Sequence, residues 1–148
     1  MPQKSQTYRI SKVIDAPLAF VYNWCTDFRE DDGKLTGSRS KKKILEKTKS
    51  RVITTSSSME NGKLIGHVSI VNLLPPNAWH LDTAGNPREQ ETGDYKLTRV
   101  GANKTRLDMV FDVKYGAGAK VPSKEWWEED SGKFWDKLIV ALMKDYSK

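Results

Sequence analysis

General acid–base catalysis needs a titratable side chain within hydrogen-bond reach of a substrate. Six residues of the sequence have the right type: His67, His80, Asp82, Glu91, Asp94 and Tyr95. All six fall in stretches that read as β-strands, so the sheet face each occupies decides its use. His80 is out of phase with Trp79 and Leu81 and is expected to face solvent. His67 lies in a strand that is apolar on both faces, which leaves its direction open. For both histidines a structural or surface role is the default. The order Ser-His-Asp is absent, and so is His/Glu spacing suited to a metal. Cys25, the single cysteine, excludes an intrachain disulfide and reads as a small buried hydrophobe on a helix face. Arg29-Glu30-Asp31-Asp32-Gly33 lacks the alternate acids and the closing Glu of a calcium loop. In Gly116-Ala117-Gly118-Ala119-Lys120 the glycines are a single residue apart, and Val121-Pro122 stand where a phosphate loop needs Ser or Thr. The chemistry-bearing residues therefore imply no metal and no cofactor.

Charge offers a different chemistry. The chain of 148 residues carries a net charge of +6. Part of the excess is local: Arg39, Lys41, Lys42, Lys43, Lys47, Lys49 and Arg51 face only Glu46 as a counter-charge. Such a run can meet nucleic acid or an anionic membrane surface. It holds no aromatic residue to stack on bases, which argues against single-strand binding. The solvated face of an exposed hairpin is the ordinary reading. Hydrophobic residues make up 37% of the chain, enough for a core in one domain spanning residues 1–148. No run approaches the ~18 apolar residues of a membrane span. MPQKSQTYRI has no apolar run before a cleavage site, so a cytoplasmic location is the default expectation.

The elements that must position these residues follow from periodicity. Residues 7–14 read as a strand, with Tyr8, Ile10 and Ile14 on one face and Lys12 breaking its apolar phase. Pro17 suits the first position of a helix, and Asp15 suits its N-terminal side. Phe20, Val21, Trp24, Cys25 and Phe28 then form one helical face. Residues 27–37 read as a second short helix or a turn. Six further strands are expected at 41–49, 51–59, 63–74, 78–85, 89–100 and 104–115. Turn residues separate them at Glu60-Asn61-Gly62, Pro75-Pro76-Asn77, Gly85-Asn86-Pro87 and Gly101-Ala102-Asn103. Short turns make neighbouring strands antiparallel. In the last strand Leu107, Met109, Phe111 and Val113 alternate with charged positions, so one face of the sheet is covered. Ser123 is the expected N-cap of a final helix of about 24 residues, or roughly 36 Å. Its predicted apolar stripe is Trp127, Ser131, Phe134, Leu138, Ala141 and Leu142, with Trp135 on the flank. Gly132 permits a bend or a close approach to the sheet. The fold class is therefore α+β: a curved seven-stranded antiparallel sheet, one or two short helices after the first strand, and a long terminal helix.

Three stretches resemble a known superfamily. Ile14-Asp15-Ala16-Pro17 with Val21-Tyr22 and Asp27-Phe28 resembles the opening of the SRPBCC superfamily. That superfamily has the helix-grip fold shared by START lipid-transfer domains, birch-pollen-allergen-like proteins and polyketide cyclases. Asp94-Tyr95-Lys96-Leu97-Thr98 with Gly101 and Thr105-Arg106-Leu107 resembles its late hairpin. The stretch from Ser131 to Leu138 resembles its closing helix. The resemblance implies a cavity between sheet and final helix that holds a lipid, a polyketide or a similar hydrophobic molecule. By position, its lining would include Phe20 and Trp24 from the first helix, and Trp79, Leu81, Tyr95, Leu97, Leu107, Met109 and Phe111 from the sheet. Trp127, Ser131, Phe134, Trp135 and Leu138 would complete it from the last helix. Ordinary core packing competes with ligand contact for each apolar residue. The alternatives are a cyclase-, dehydratase- or hydrolase-like enzyme using the same cavity, and an anionic partner on the basic stretch.

Overall fold

A computed structural model of the chain describes residues 4–28, 41–60, 62–86 and 88–148. The element order is β1 (Lys4–Ile14), α1 (Leu18–Thr26), β2 (Lys41–Lys47), β3 (Arg51–Glu60), β4 (Lys63–Leu74), β5 (Ala78–Ala84), β6 (Glu89–Gly101), β7 (Lys104–Tyr115) and α2 (Lys124–Tyr146). The strands form one curved antiparallel sheet of seven strands in the order β1-β7-β6-β5-β4-β3-β2. Consecutive strands from β2 to β7 are neighbours, as short turns require. The first strand closes the far side by pairing with the last, from Lys4↔Tyr115 to Ile14↔Thr105. β1 starts three residues earlier than its apolar pattern because β7 continues to offer ladder partners there.

The start of α2 falls where its sequence says. Ser123 caps α2, its hydroxyl accepting from the Trp126 N–H at 3.2 Å. Pro17 occupies the N-cap of α1 rather than its first turn, and the Val21 N–H reaches its carbonyl at 3.0 Å. Asp15 does not serve that helix end: its carboxylate lies 3.7 Å from Lys104. The corner between β1 and α1 is fastened instead by buried Thr105, whose hydroxyl donates to the Ala16 carbonyl at 2.8 Å. Beyond Phe28, the segment expected as a second short helix or turn lies outside the described residues, as does Arg39.

Paired residues in an antiparallel ladder project to the same side. Val52, Val71, Leu81, Gly93, Phe111 and Tyr8 are linked in one such row, and the buried members place it on the concave face. The core continues through Ile10, Ile14, Leu97, Leu107, Met109 and Val113 to Val21 of α1 and Leu142 of α2. α2 packs chiefly against β1. It also seals that edge of the sheet: the carboxylate of Glu128 accepts the Arg9 N–H at 2.7 Å, a ladder donor that an edge strand leaves open. Lys12 breaks the apolar phase of β1 because its ammonium passes beneath the helix to Asp136, 2.7 Å away. Gly132 is buried over that side chain, at a distance where a Cβ would make an ordinary contact. The helix therefore sits toward one side and leaves the concave surface of β3, β4 and β5 less covered.

The basic stretch forms the opposite edge, strand β2. Lysines on an edge strand oppose pairing with another sheet, which is a sufficient reason for their presence. Several are engaged within the fold. Lys47 bonds Asp27 at 3.1 Å and the Phe28 carbonyl at 2.9 Å. Lys42 lies over the Phe28 ring, and Arg51 grips Glu46 through two hydrogen bonds. Among the described residues, no helix is long and apolar enough to cross a membrane.

Candidate functional site

Aromatic side chains form a connected row across the concave face. Tyr22 of α1 meets Trp79 edge-on, with ring centroids 6.0 Å apart. Trp79 stacks on Tyr95 at 4.8 Å, and Tyr95 meets Phe111 edge-on at 5.5 Å. Phe111 contacts Trp127 of α2 at 5.3 Å, and Trp127 stacks on Tyr8 at 4.0 Å. Trp135 approaches Tyr95 from above at 6.1 Å. Stacked and edge-to-face pairs are the favoured arrangements of aromatic quadrupoles, so the row is mutually braced. Gly93 makes it possible. A Cβ at Gly93 would come within 3.0 Å of the Phe111 ring and 3.2 Å of the Tyr95 ring. The missing side chain is the space those rings occupy.

Exposure separates packed core from accessible lining. Leu97, Leu107 and Met109 are 0–1% exposed and pack in the core. Trp79 and Phe111 are also buried. Leu81, Tyr95, Trp127 and Trp135 are half-buried against the core, and Ser131 and Leu138 are half-buried on α2. Phe20 and Trp24 meet the end of α2. Phe20 packs on Tyr146 at 4.9 Å, and the Trp24 indole donates to Asp145 at 2.8 Å. Phe134 corrects the expected stripe: it is 47% exposed. Burial along α2 centres on Gly132, Trp135, Ile139 and Leu142, turned by somewhat less than one residue's rotation of about 100°. The indole of Trp135, placed on the flank by periodicity, lies near the middle of the buried face.

Polar groups occupy the next row of the concave face. Register joins Thr54 to Ser69 and Ser69 to Thr83, and places Glu91 beside Val113 on the same side. Where the ladder between β5 and β6 ends, the Thr83 hydroxyl replaces it. That hydroxyl accepts the Glu91 N–H at 2.8 Å and donates to the Glu91 carbonyl at 3.0 Å. The Glu91 carboxyl makes no hydrogen bond or ion pair among the described residues. Burial, assisted by the like charge of Glu89, pushes it up to about 7. The Tyr95 phenol is driven well above its ordinary value by burial first, then by the charges of Glu91 and Cys25. Cys25 is itself pushed up to about 12 by burial, which makes it an inert thiol rather than a nucleophile. The Tyr8 and Tyr115 hydroxyls bond each other at 2.7 Å, and burial is the main cause that holds Tyr115 in its phenol form. His67, opposite Ser56, shares the concave side.

The other acid–base candidates lie on the convex side. His80 sits between Asp94, 2.6 Å from Nδ1, and Asp82, 3.2 Å from Nε2. Its pKa is raised, chiefly by the hydrogen bond to Asp94. The structure thus brings His80, Asp82 and Asp94 together away from the interior, and His67, Glu91 and Tyr95 toward it. Tyr8, Tyr22, Tyr115 and Gly93 were not among the expected site residues. Tyr8 had a signal in its phase with Ile10 and Ile14, and Tyr115 in its phase with Phe111 and Val113.

A cleft of about 630 Å³ opens at one end, beneath the linker between β7 and α2. Tyr115 and Trp127 reach it from inside, while Glu89, Arg88 and Lys120 line its rim. Among the described residues, no group of three or more His, Cys, Asp or Glu could hold a metal ion.

No family model matches the sequence, and no curated protein does. Solved structures do match the fold. Ara h 8.0201 superposes with a TM-score of 0.73 at 11% identity, over 95% of this chain and 99% of that one. The ZhuI aromatase/cyclase from Streptomyces sp. R1128 gives a TM-score of 0.71 at 15% identity, over 96% of this chain and 93% of that one. A START superfamily protein from Mycobacterium smegmatis gives 0.63 at 15% identity, over 92% and 93%. The chain shares the helix-grip fold of these structures.

Proposed function

We propose that the protein binds a hydrophobic small molecule, such as a lipid or polyketide, between the concave face of the sheet and α2. The observation that carries this reading is the braced aromatic row, with Leu81, Tyr95, Trp127 and Trp135 only half-buried along it. Concave, mostly apolar surfaces with a few convergent polar groups are the usual ligand sites. α2 is held at both ends: Glu128 and Asp136 fix it to β1, and Asp145 and Tyr146 fix it to α1. A ligand site beneath its middle would therefore be preorganised, which lowers the cost of binding. Burying about 200 Å² of apolar ligand surface there would contribute roughly 5 kcal/mol before association costs.

The test is titration with N-phenyl-naphthylamine, a neutral probe that fluoresces in apolar surroundings. Saturable enhancement, with quenching or shift of tryptophan emission, is the expected result. Unchanged probe and tryptophan emission would overturn the reading. An enzyme acting in the same cavity is the second reading, favoured by the inward placement of Glu91 and Tyr95, both with raised pKa values.

A further inference from the structure

The concave face is two-toned. The row through Leu81, Gly93 and Phe111 is apolar and continues into the aromatic side chains. The adjacent row holds Thr54, Ser69, Thr83 and Glu91, with His67 beyond it. A ligand that fills this space meets rings at one end and hydroxyls and a carboxyl at the other. We propose that Glu91 anchors a cationic amine, and that the ligand is an apolar, ring-bearing amine whose body lies along Leu81, Tyr95 and Trp135. This rests on the ligand-binding reading and names its chemical class.

Three observations carry it. First, Glu91 is placed rigidly, because the Thr83 hydroxyl holds its backbone through both the N–H and the carbonyl. Second, its carboxyl has no partner among the described residues. The nearest influential charge, Glu89, has the same sign. A buried carboxylate without a cation is costly, and a ligand ammonium removes that cost. Third, the interior along the same strands is rich in aromatic rings, Tyr95 and Phe111 among them, and ring quadrupoles attract an ammonium and do not attract an anion.

The surrounding cations are committed elsewhere or lie outside. Lys12 bonds Asp136, Lys47 bonds Asp27, and Lys42 covers the Phe28 ring. Lys4 stands opposite Tyr115 at the exposed start of β1, and Arg88 and Lys120 line the outer cleft with Glu89. The titratable groups facing Glu91 are Glu89 and Tyr95 on its own strand, Tyr115 on β7, Tyr8 on β1, Cys25 on α1 and His67 on β4. From α2, Glu128 and Asp136 are turned to Arg9 and Lys12.

The experiment is competition against bound N-phenyl-naphthylamine by three compounds that share one body: naphthylethylamine, naphthylethanol and naphthylpropionate. The amine should displace the probe at about tenfold lower concentration than the alcohol, the size expected of a hydrogen bond to a charged group, and the propionate should be weakest. Because the amine stays protonated while Glu91 ionises, the preference for amine should grow as pH rises through about 7. In Glu91→Gln, an isosteric change, the preference and its pH dependence should both disappear while probe binding persists. The wild-type pH profile keeps the test independent of how well the variant folds. Equal displacement by amine and alcohol, or a preference that survives in Glu91→Gln, overturns the amine anchor and leaves ligand binding intact. Absence of probe binding overturns both.

Discussion

Among the described residues, Tyr22 and Glu91 each bring a polar side-chain group inward without a partner, and they have different consequences. The Tyr22 hydroxyl is buried and makes no hydrogen bond among the described residues. A buried hydroxyl without a partner carries a desolvation penalty that removal relieves. Tyr22→Phe should therefore leave the ring against Trp79 and raise stability by about 1 kcal/mol in denaturant unfolding. A loss of similar size would show that the hydroxyl is satisfied in solution. Glu91 differs because it stands beside half-buried surface, where a ligand can satisfy it. Sequence supplied both Glu91 and Tyr95 as acid–base candidates, but it could not separate them from His80, Asp82 and Asp94. That separation depends on strand phase. β7 shows its phase plainly because its convex positions are charged, whereas β4 is apolar or small on both faces and hides the direction of His67. Gly93 was invisible for another reason. A glycine's role as space for neighbouring rings exists only once Phe111 and Tyr95 are placed across from it.

At the scale of elements, ends are better marked than faces. Ser123 announced the start of α2, and turn residues delimited the hairpins. The buried face of α2 was read too far toward Phe134, because apolar residues surround more than half of the helix between Phe134 and Leu142. What turns the helix is polar: Glu128 on the Arg9 N–H and Asp136 on Lys12. Such long-range partners leave no periodic trace. Gly132 illustrates the same point. A Cβ there would meet Lys12 Nζ at 3.6 Å, an ordinary contact, so the helix tolerates alanine. Gly132→Ala should stabilise the protein by up to about 1 kcal/mol, the propensity difference in a helix interior, read as a higher Tm. A lower Tm would mean that the approach of α2 to β1 is tighter than this geometry.

At the scale of the whole molecule, the fold was legible because each level agreed: alternating strands, turn residues between them and one long amphipathic helix. The cavity was less legible, since the same aromatic residues could plug the space or line it. Their exposure differs. Leu97, Leu107 and Met109 close one end as core, while Leu81, Tyr95, Trp127 and Trp135 keep accessible surface along the other. The central claim is that open space exists over Leu81, opposite Gly93 and Val71. The most direct measurement is Leu81→Trp, read by thermal unfolding and by N-phenyl-naphthylamine titration together. If the space is open, the indole fills it: Tm stays close to wild type and probe binding is lost. If the interior is already filled, the indole overpacks it: stability falls by about 1–3 kcal/mol. That fall, with no probe binding in the wild type to lose, would contradict the account.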